Sequence, residues 1–348
     1  MKQKFRFALV AIVGVLVLAA LLPLDAEAAS RGGGKVVVAD RGSGTISVIS
    51  AKDDSVTTYP MPMGDSPPEP MYVFYAPVQQ RVFVGDRANN RVVAFNAQTF
   101  EVDGIAPAGA GVFHMWGSRA TGELWVNNDV DNTTSVIDVR TLETVATIPT
   151  PADLVAMGGR PHDVILDASG FFGYVTVIGV AGDNDRLLQI DARSHEIVQV
   201  IEVGDDPHVS LGTGNPYLYV PAQGSDTVQV FDRMTLDPIT EIMISGAHGA
   251  AMTANGRYFY TTNLTGGGSD ALWVIDTATN SVVVAGVDTN STVPHNIAVT
   301  PNGQKIFVTH SGMNNVVSVF ETRGGSPMPI LVDEVPVGSN PFGIAYVR

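Results

Sequence analysis

One short segment recurs along nearly the whole chain, and a periodic chain is confined to a small set of architectures. It reads VVVAD at 36–40, VFVGD at 82–86, LWVNN at 124–128, GYVTV at 173–177, LYVPA at 218–222, FYTTN at 259–263 and IFVTH at 306–310. After a polar turn, each copy leads into a second apolar segment that closes on a polar residue. These are ISVIS at 46–50, VVAFN at 92–96, SVID at 135–138, LLQID at 187–191, VQVFD at 228–232, LWVID at 272–276 and VSVFE at 317–321. The repeat is about 45 residues long. Upstream of most copies stands a Gly turn, such as DASG (167–170), TANG (253–256) or TPNG (300–303), preceded by a further apolar stretch. A Thr/Val-rich segment, such as TVATI (144–148) or EIVQVI (196–201), completes the unit.

Apolar runs of four to eight residues separated by turn signals are strand signatures, and nothing between residue 29 and the C-terminus sustains a helical period. Four strands per repeat and seven repeats predict an all-β, seven-bladed β-propeller with four-stranded antiparallel blades. The first copy begins without an upstream strand, whereas the C-terminal NPFGIAYVR (340–348) matches only that missing element. The C-terminal strand is therefore expected to join the first blade and close the ring, leaving no unpaired radial edge. The segments GYVTV, SVIDVRTLETVATI and PNGQKIFVTH are similar to the YVTN-type seven-bladed propeller repeats of exported bacterial and archaeal proteins. The resemblance implies the fold for residues 29–348, read as one domain. It implies little about chemistry, which must be argued from a site.

The N-terminus reads as an export signal. Lys2, Lys4 and Arg6 precede an apolar run from Phe7 to Leu22, Pro23 ends it, and Ala26-Glu27-Ala28 offers a cleavage pattern. The run is short for a membrane-spanning helix. Residues 1–28 are expected to be removed, placing the folded chain in the periplasm or outside the cell, with a retained anchor as the alternative. The formal charge of −15 argues against nucleic acid as a partner. The absence of cysteine excludes disulfides, thiolate metal sites and c-type haem attachment.

The loop entering each inner strand carries one recurring position, filled by Met71, His114, His162, His208, His248, His295 and Phe342. Five of the seven histidines fall in this one column. Inner strands line the axis of a propeller, so these side chains are expected around the mouth of its channel. The turn after the YVTN-like strand opens on the same face and begins with Asp40, Asp86, Asn128, Asn263 or His310. His310 thus becomes a sixth candidate, and only His195 belongs elsewhere. Neutral imidazole is the commonest ligand for Zn, Cu, Fe and Ni. The candidate metal ligands are therefore His114, His162, His208, His248, His295 and His310. Met71 and Met115 would add thioethers and favour copper over zinc. The arrangement is similar to the histidine-lined channels of copper-dependent seven-bladed enzymes, although the copper domain and cysteines of nitrous oxide reductase have no counterpart here.

Other readings stand beside this one. A histidine duplicated with its repeat can serve only to bond a neighbouring blade, and a turn-initiating Asp or Asn is expected without any function. Arg41 and Arg87 read as surface ion pairs or as holders of an anionic substrate. A non-covalent haem could use one imidazole. A non-catalytic, monomeric scaffold could bind a protein, glycan or cell-envelope partner, or a small molecule, at the channel face. A lactonase- or lyase-like enzyme would need clustered carboxylates as well, and the sequence offers no channel-facing Glu column. The Pro-rich MPMGDSPPEP (61–70) is expected to run over the channel mouth.

Overall fold

A computed structural model describes residues 33–182, 184–264 and 271–348; the export signal read at 1–28 lies outside them. The described residues form seven four-stranded antiparallel sheets, arranged as the blades of a propeller. Blade 1 contains β1 (Lys35–Asp40), β2 (Thr45–Ser50) and β3 (Val56–Pro60), and its inner strand is β28 (Pro341–Val347) from the C-terminus. β28 pairs antiparallel with β1, with Val36 opposite Tyr346 and Val38 opposite Ile344, and this pairing closes the ring. Blades 2 to 7 follow in chain order, four strands each, over residues 70–107, 112–149, 160–203, 210–243, 247–288 and 294–336. Their inner strands are β4 (Pro70–Ala76), β8 (Val112–Ser118), β12 (Arg160–Leu166), β16 (Ser210–Leu211), β20 (Ala247–Met252) and β24 (Pro294–Val299).

The burial of each strand follows from its place in the blade. The second strands, of which KVVVAD and RVFVGD are examples, are covered on both faces by neighbouring blades, and they are nearly continuous apolar runs. The outermost strands, such as β11 (Thr144–Pro149) and β15 (Ile197–Val203), alternate between exposed and covered positions. Seven apolar clusters fill the seven interfaces between blades. One joins Val37 and Ile46 of blade 1 to Val82 and Val93 of blade 2; another joins Phe307 and Val319 of blade 7 back to Val36 and Ile49 of blade 1. The core is thus a wheel of interfaces, and each blade depends on both neighbours. A five-residue helix, Ala152–Ala156, interrupts the connection between blades 3 and 4. No helix among the described residues is long and apolar enough to cross a membrane.

Six of the seven inner strands enter through a bulge, which shapes the axis; in blade 5 Pro207 stands opposite Ala222 and Ser210 opposite Tyr219 without a change of register. Pro70 pairs with Asp86, and pairing resumes only at Val73 opposite Val84. The same two-residue interruption follows Val112, Pro161, Ala247, Pro294 and Pro341. A bulge leaves its residues out of the ladder and re-aims their side chains. The penultimate residue of the second strand fixes it: Thr176, Thr262 and Thr309 accept the N–H of Asp163, Gly249 and Asn296 at 2.8, 2.9 and 3.0 Å. Side chains at the same position also reach the next blade. Asn127, Thr262 and Thr309 donate to the carbonyls of His162, His295 and Phe342 at 2.9, 2.9 and 2.8 Å. Adjacent bulges pack so closely that a Cβ on Gly249 would stand 1.8 Å from the His295 carbonyl oxygen.

Candidate metal centre

The register corrects one member of the histidine column. Val112 holds the place of Pro70, Pro161, Pro294 and Pro341, opposite Asn128. The first position after this pair, the first bulge position in every blade but the fifth, is therefore filled by Met71, Phe113, His162, His208, His248, His295 and Phe342. The second is filled by Tyr72, His114, Asp163, Val209, Gly249, Asn296 and Gly343. His114 belongs one residue later than the spacing suggests, because the connection into blade 3 carries its bulge one residue earlier in the motif. Its ring nevertheless reaches the same place.

Around the axis the rings touch in sequence. Centroid separations are 3.8 Å for Tyr72–His114, 4.7 Å for His114–His162, 4.6 Å for His162–His208, 3.9 Å for His208–His248, 4.7 Å for His248–His295 and 4.1 Å for His295–Phe342. Tyr72 meets Phe342 edge-on at 5.5 Å and completes the circle. Phe113 lies against Tyr72, His114, His162 and Phe342, so one side of the ring is aromatic hydrocarbon and the other imidazole. All five imidazoles are buried, with exposures of 3% (His114), 7% (His162), 3% (His208), 5% (His248) and 5% (His295). They sit in a plugged axis, whereas the spacing suggested an open mouth.

His114, His162 and His208 each offer a ring nitrogen, and these nitrogens lie within 4.8 Å of one another. His114 is held by Asp163, whose Oδ1 is 2.7 Å from Nδ1. His162 Nδ1 has only long contacts, 3.5 Å to the Pro207 carbonyl and 3.9 Å to Asp206. His114 Nε2 and both nitrogens of His208 and His248 are buried without any hydrogen-bond partner. Leaving a polar atom in that state costs about 1–3 kcal/mol. Burial, reinforced by the neighbouring imidazoles, lowers the pKa of His162 to about 3 and that of His208 and His248 far below the usual value. Burial likewise brings His295 to about 3. These rings are held neutral, the form that ligates a metal. At Asp163 burial raises the carboxyl, but the His114 imidazole and the Val209 N–H outweigh it and leave the group below its ordinary value.

The remaining candidates lie elsewhere. His310 is fully buried, yet its Nδ1 is 2.9 Å from the Thr292 carbonyl and its Nε2 is 2.8 Å from Ser318 Oγ, on the third strand of its blade. Its turn column points away from the axis: Asp40 accepts from Ser47 at 2.8 Å, and Asn128 donates to Ser135 at 2.8 Å. His310 therefore fastens a turn. His195 joins Glu123 of the neighbouring blade at 3.1 Å. Met71 and Met115 are sunk in the apolar cluster with Phe83, Val112 and Leu124. Arg41 is paired with Glu69 at 2.6 Å and Arg87 with Asp129 at 2.9 Å, with their guanidinium groups over Phe342 and Phe113. The 61–70 segment is tied to the blade 2 turn, where Asn89 accepts from Ser66 N–H at 3.0 Å and Asp86 accepts from Glu69 N–H at 3.0 Å. Asp163, Asn296 and Tyr72 were missed by the sequence reading. The bulge register was the signal that could have found them.

Fold and site together define a class: closed seven-bladed β-propellers with an arc of buried imidazoles on the axis. No family model matches the sequence, and no curated relative does either. Solved structures share the architecture. Hydrazine synthase from Kuenenia stuttgartiensis matches at 18% identity and a TM-score of 0.68, covering 79% of this chain and 89% of that one. A periplasmic gluconolactonase from Pseudomonas aeruginosa matches at 18% identity and 0.72, covering 90% and 99%. Dihydro-heme d1 dehydrogenase NirN matches at 15% identity and 0.61, covering 89% and 74%. At such identities the likeness concerns the fold alone.

Proposed function

We propose that this protein is an exported metal-binding propeller that holds one transition-metal ion, copper in preference to zinc, on His114, His162 and His208. One observation carries the reading: three buried imidazoles from three blades bring ring nitrogens within 4.8 Å of one another, and His114 Nε2 and both His208 nitrogens have no protein partner. A purely structural histidine would be expected to spend its nitrogens on protein partners, as His310 does. Without cysteine the donor set is imidazole, which suits both ions, and divalent affinities rise to Cu(II) and fall again at zinc. The methionines add nothing to this preference, being part of the core. Three protein ligands would leave a coordination position open, as in catalytic metal sites. Export is supported by the basic start, the apolar run and the Ala26-Glu27-Ala28 pattern.

A non-covalent haem fits less well, since the macrocycle needs a slot beside its ligand and these imidazoles lie against one another at 3.9 to 4.7 Å. Calorimetric titration of metal-free protein with Cu(II), and separately with Zn(II), is the test. One ion per chain is expected, with the tighter binding for copper, and it should be lost in His208→Ala. A folded protein that takes up neither ion would overturn the reading.

A further inference from the structure

The second bulge position places a polar side chain beside a histidine in two blades, and the two side chains are opposite in kind. In blade 4 it is Asp163. Its Oδ1 lies 2.7 Å from His114 Nδ1 and accepts the Val164 N–H at 2.7 Å, while its Oδ2 accepts the Val209 N–H at 2.9 Å. Both oxygens thus act as acceptors, so the proton of the His114 contact belongs to Nδ1. In the neutral ring the lone pair is then on Nε2, the buried atom without a partner. In blade 7 the residue is Asn296. Its Nδ2 donates to the Phe342 carbonyl at 3.1 Å and lies 2.6 Å from His295 Nδ1. A carbonyl can only accept, so the amide atom between the two must be the NH2 group. Its second proton faces His295 Nδ1, which carries the lone pair and leaves the His295 proton on Nε2.

We infer that Asp163 and Asn296 are positioning residues that fix opposite tautomers on the two ends of the imidazole arc, making His114 a ligand through Nε2 and His295 a hydrogen-bond donor that stays out of the coordination shell. The inference rests on the metal reading for its consequence, though not for the tautomers themselves. Asp163 does for His114 what outer carboxylates do for ligating histidines in general: it orients the ring and raises its basicity. It also ties three blades together, taking a proton contact from blade 3 and a backbone N–H from blade 5. His295 has no carboxylate beside it. Its neighbour Asn296 can only saturate the nitrogen that would otherwise bind an ion.

The test is 15N spectroscopy of histidine-labelled, metal-free protein, followed by titration with Cu(II) alone. The spectra should show His114 protonated at Nδ1 and His295 protonated at Nε2. Asp163→Asn should weaken copper binding by about 10- to 100-fold, and Asn296→Asp should move the His295 proton to Nδ1. A merely structural Asp163 would lower the melting temperature and leave the copper affinity of the folded fraction unchanged, which would overturn the proposal. So would a His295 proton found on Nδ1 in the parent protein. Should Asp163→Asn fail to fold, the parent spectra still decide. If the tautomers are as stated and no copper binds, the metal reading falls and the tautomer assignment stands.

Discussion

Two columns of the repeat carry histidine, and they behave in opposite ways. In the turn column His310 is fully buried with both nitrogens engaged, replacing Asp40 and Asn128 in a bond to the third strand of its blade. In the axial column His208 and His248 are almost as deeply buried, and none of their nitrogens has a partner. The residue type is the same, and the burial nearly so. What differs is the place in the blade: a turn aims its side chain along its own sheet, where hydroxyls wait, whereas the entry of an inner strand aims it at the axis, where it meets only other rings. A polar atom kept unsatisfied in a close-packed interior calls for an explanation, and the pattern of satisfaction separates a fastening histidine from a ligating one.

That contrast can be broken or sharpened. The largest effect is expected from His208→Ala, which should lower copper affinity by about 1,000-fold, or ~4 kcal/mol, whereas His310→Ala should leave it unchanged. Titration of both variants checks this; equal losses would erase the distinction. The next effect concerns pH. Burial pushes Asp40 up to about 6, against hydrogen bonds from Ser47, Thr45 and the Gly338 N–H. Its folded form holds the proton more tightly than the unfolded chain, so this group favours the fold at low pH and costs about 3 kcal/mol once pH has risen past 6. The ring histidines have the opposite sign. His162 and His295 titrate near 3 when folded, so the unfolded chain takes up protons first as pH falls below 6.5, and stability is lost from there toward 3. In denaturant midpoints measured from pH 4 to 7 on metal-free protein, Asp40→Asn should steepen the net rise with pH and His295→Phe should flatten it.

Smaller effects follow. His310→Ala should cost about 1–3 kcal/mol of stability, because Ser318 Oγ loses a buried partner. Gly249→Ala should cost a similar ~1–3 kcal/mol by forcing the bulges of blades 6 and 7 apart. Replacing Arg41 should cost less than ~1 kcal/mol, since its pair with Glu69 is about a third exposed on both sides. Chemical denaturation measures all three.

Nearly all of the wheel was legible in the chain. The strand-length apolar runs, their seven copies and the orphan C-terminal strand all follow from which faces must be covered, and the structure places β28 against β1 for that reason. The convergence of five imidazoles was legible too, because duplication writes axial position as spacing. The details of the site were not. A bulge adds a residue without changing the composition of the motif, so VFHMWG hid that Phe113, and not His114, occupies the first position. His310 could not be told from a ligand because alternation of strands gives the face a turn lies on, while its hydrogen-bond partner on the third strand decides where it points. Asp163 and Asn296 were invisible as site residues because their importance lies in partners from other blades.

The most direct measurement is X-ray absorption of the copper-loaded protein, with electron paramagnetic resonance of the Cu(II) form counting the coupled nitrogens. Three imidazole nitrogens, without sulfur and reduced in number when His114, His162 or His208 is replaced, are expected. A copper signal that is unchanged in all three variants, or that carries methionine sulfur, would contradict a site built on the axis from these blades.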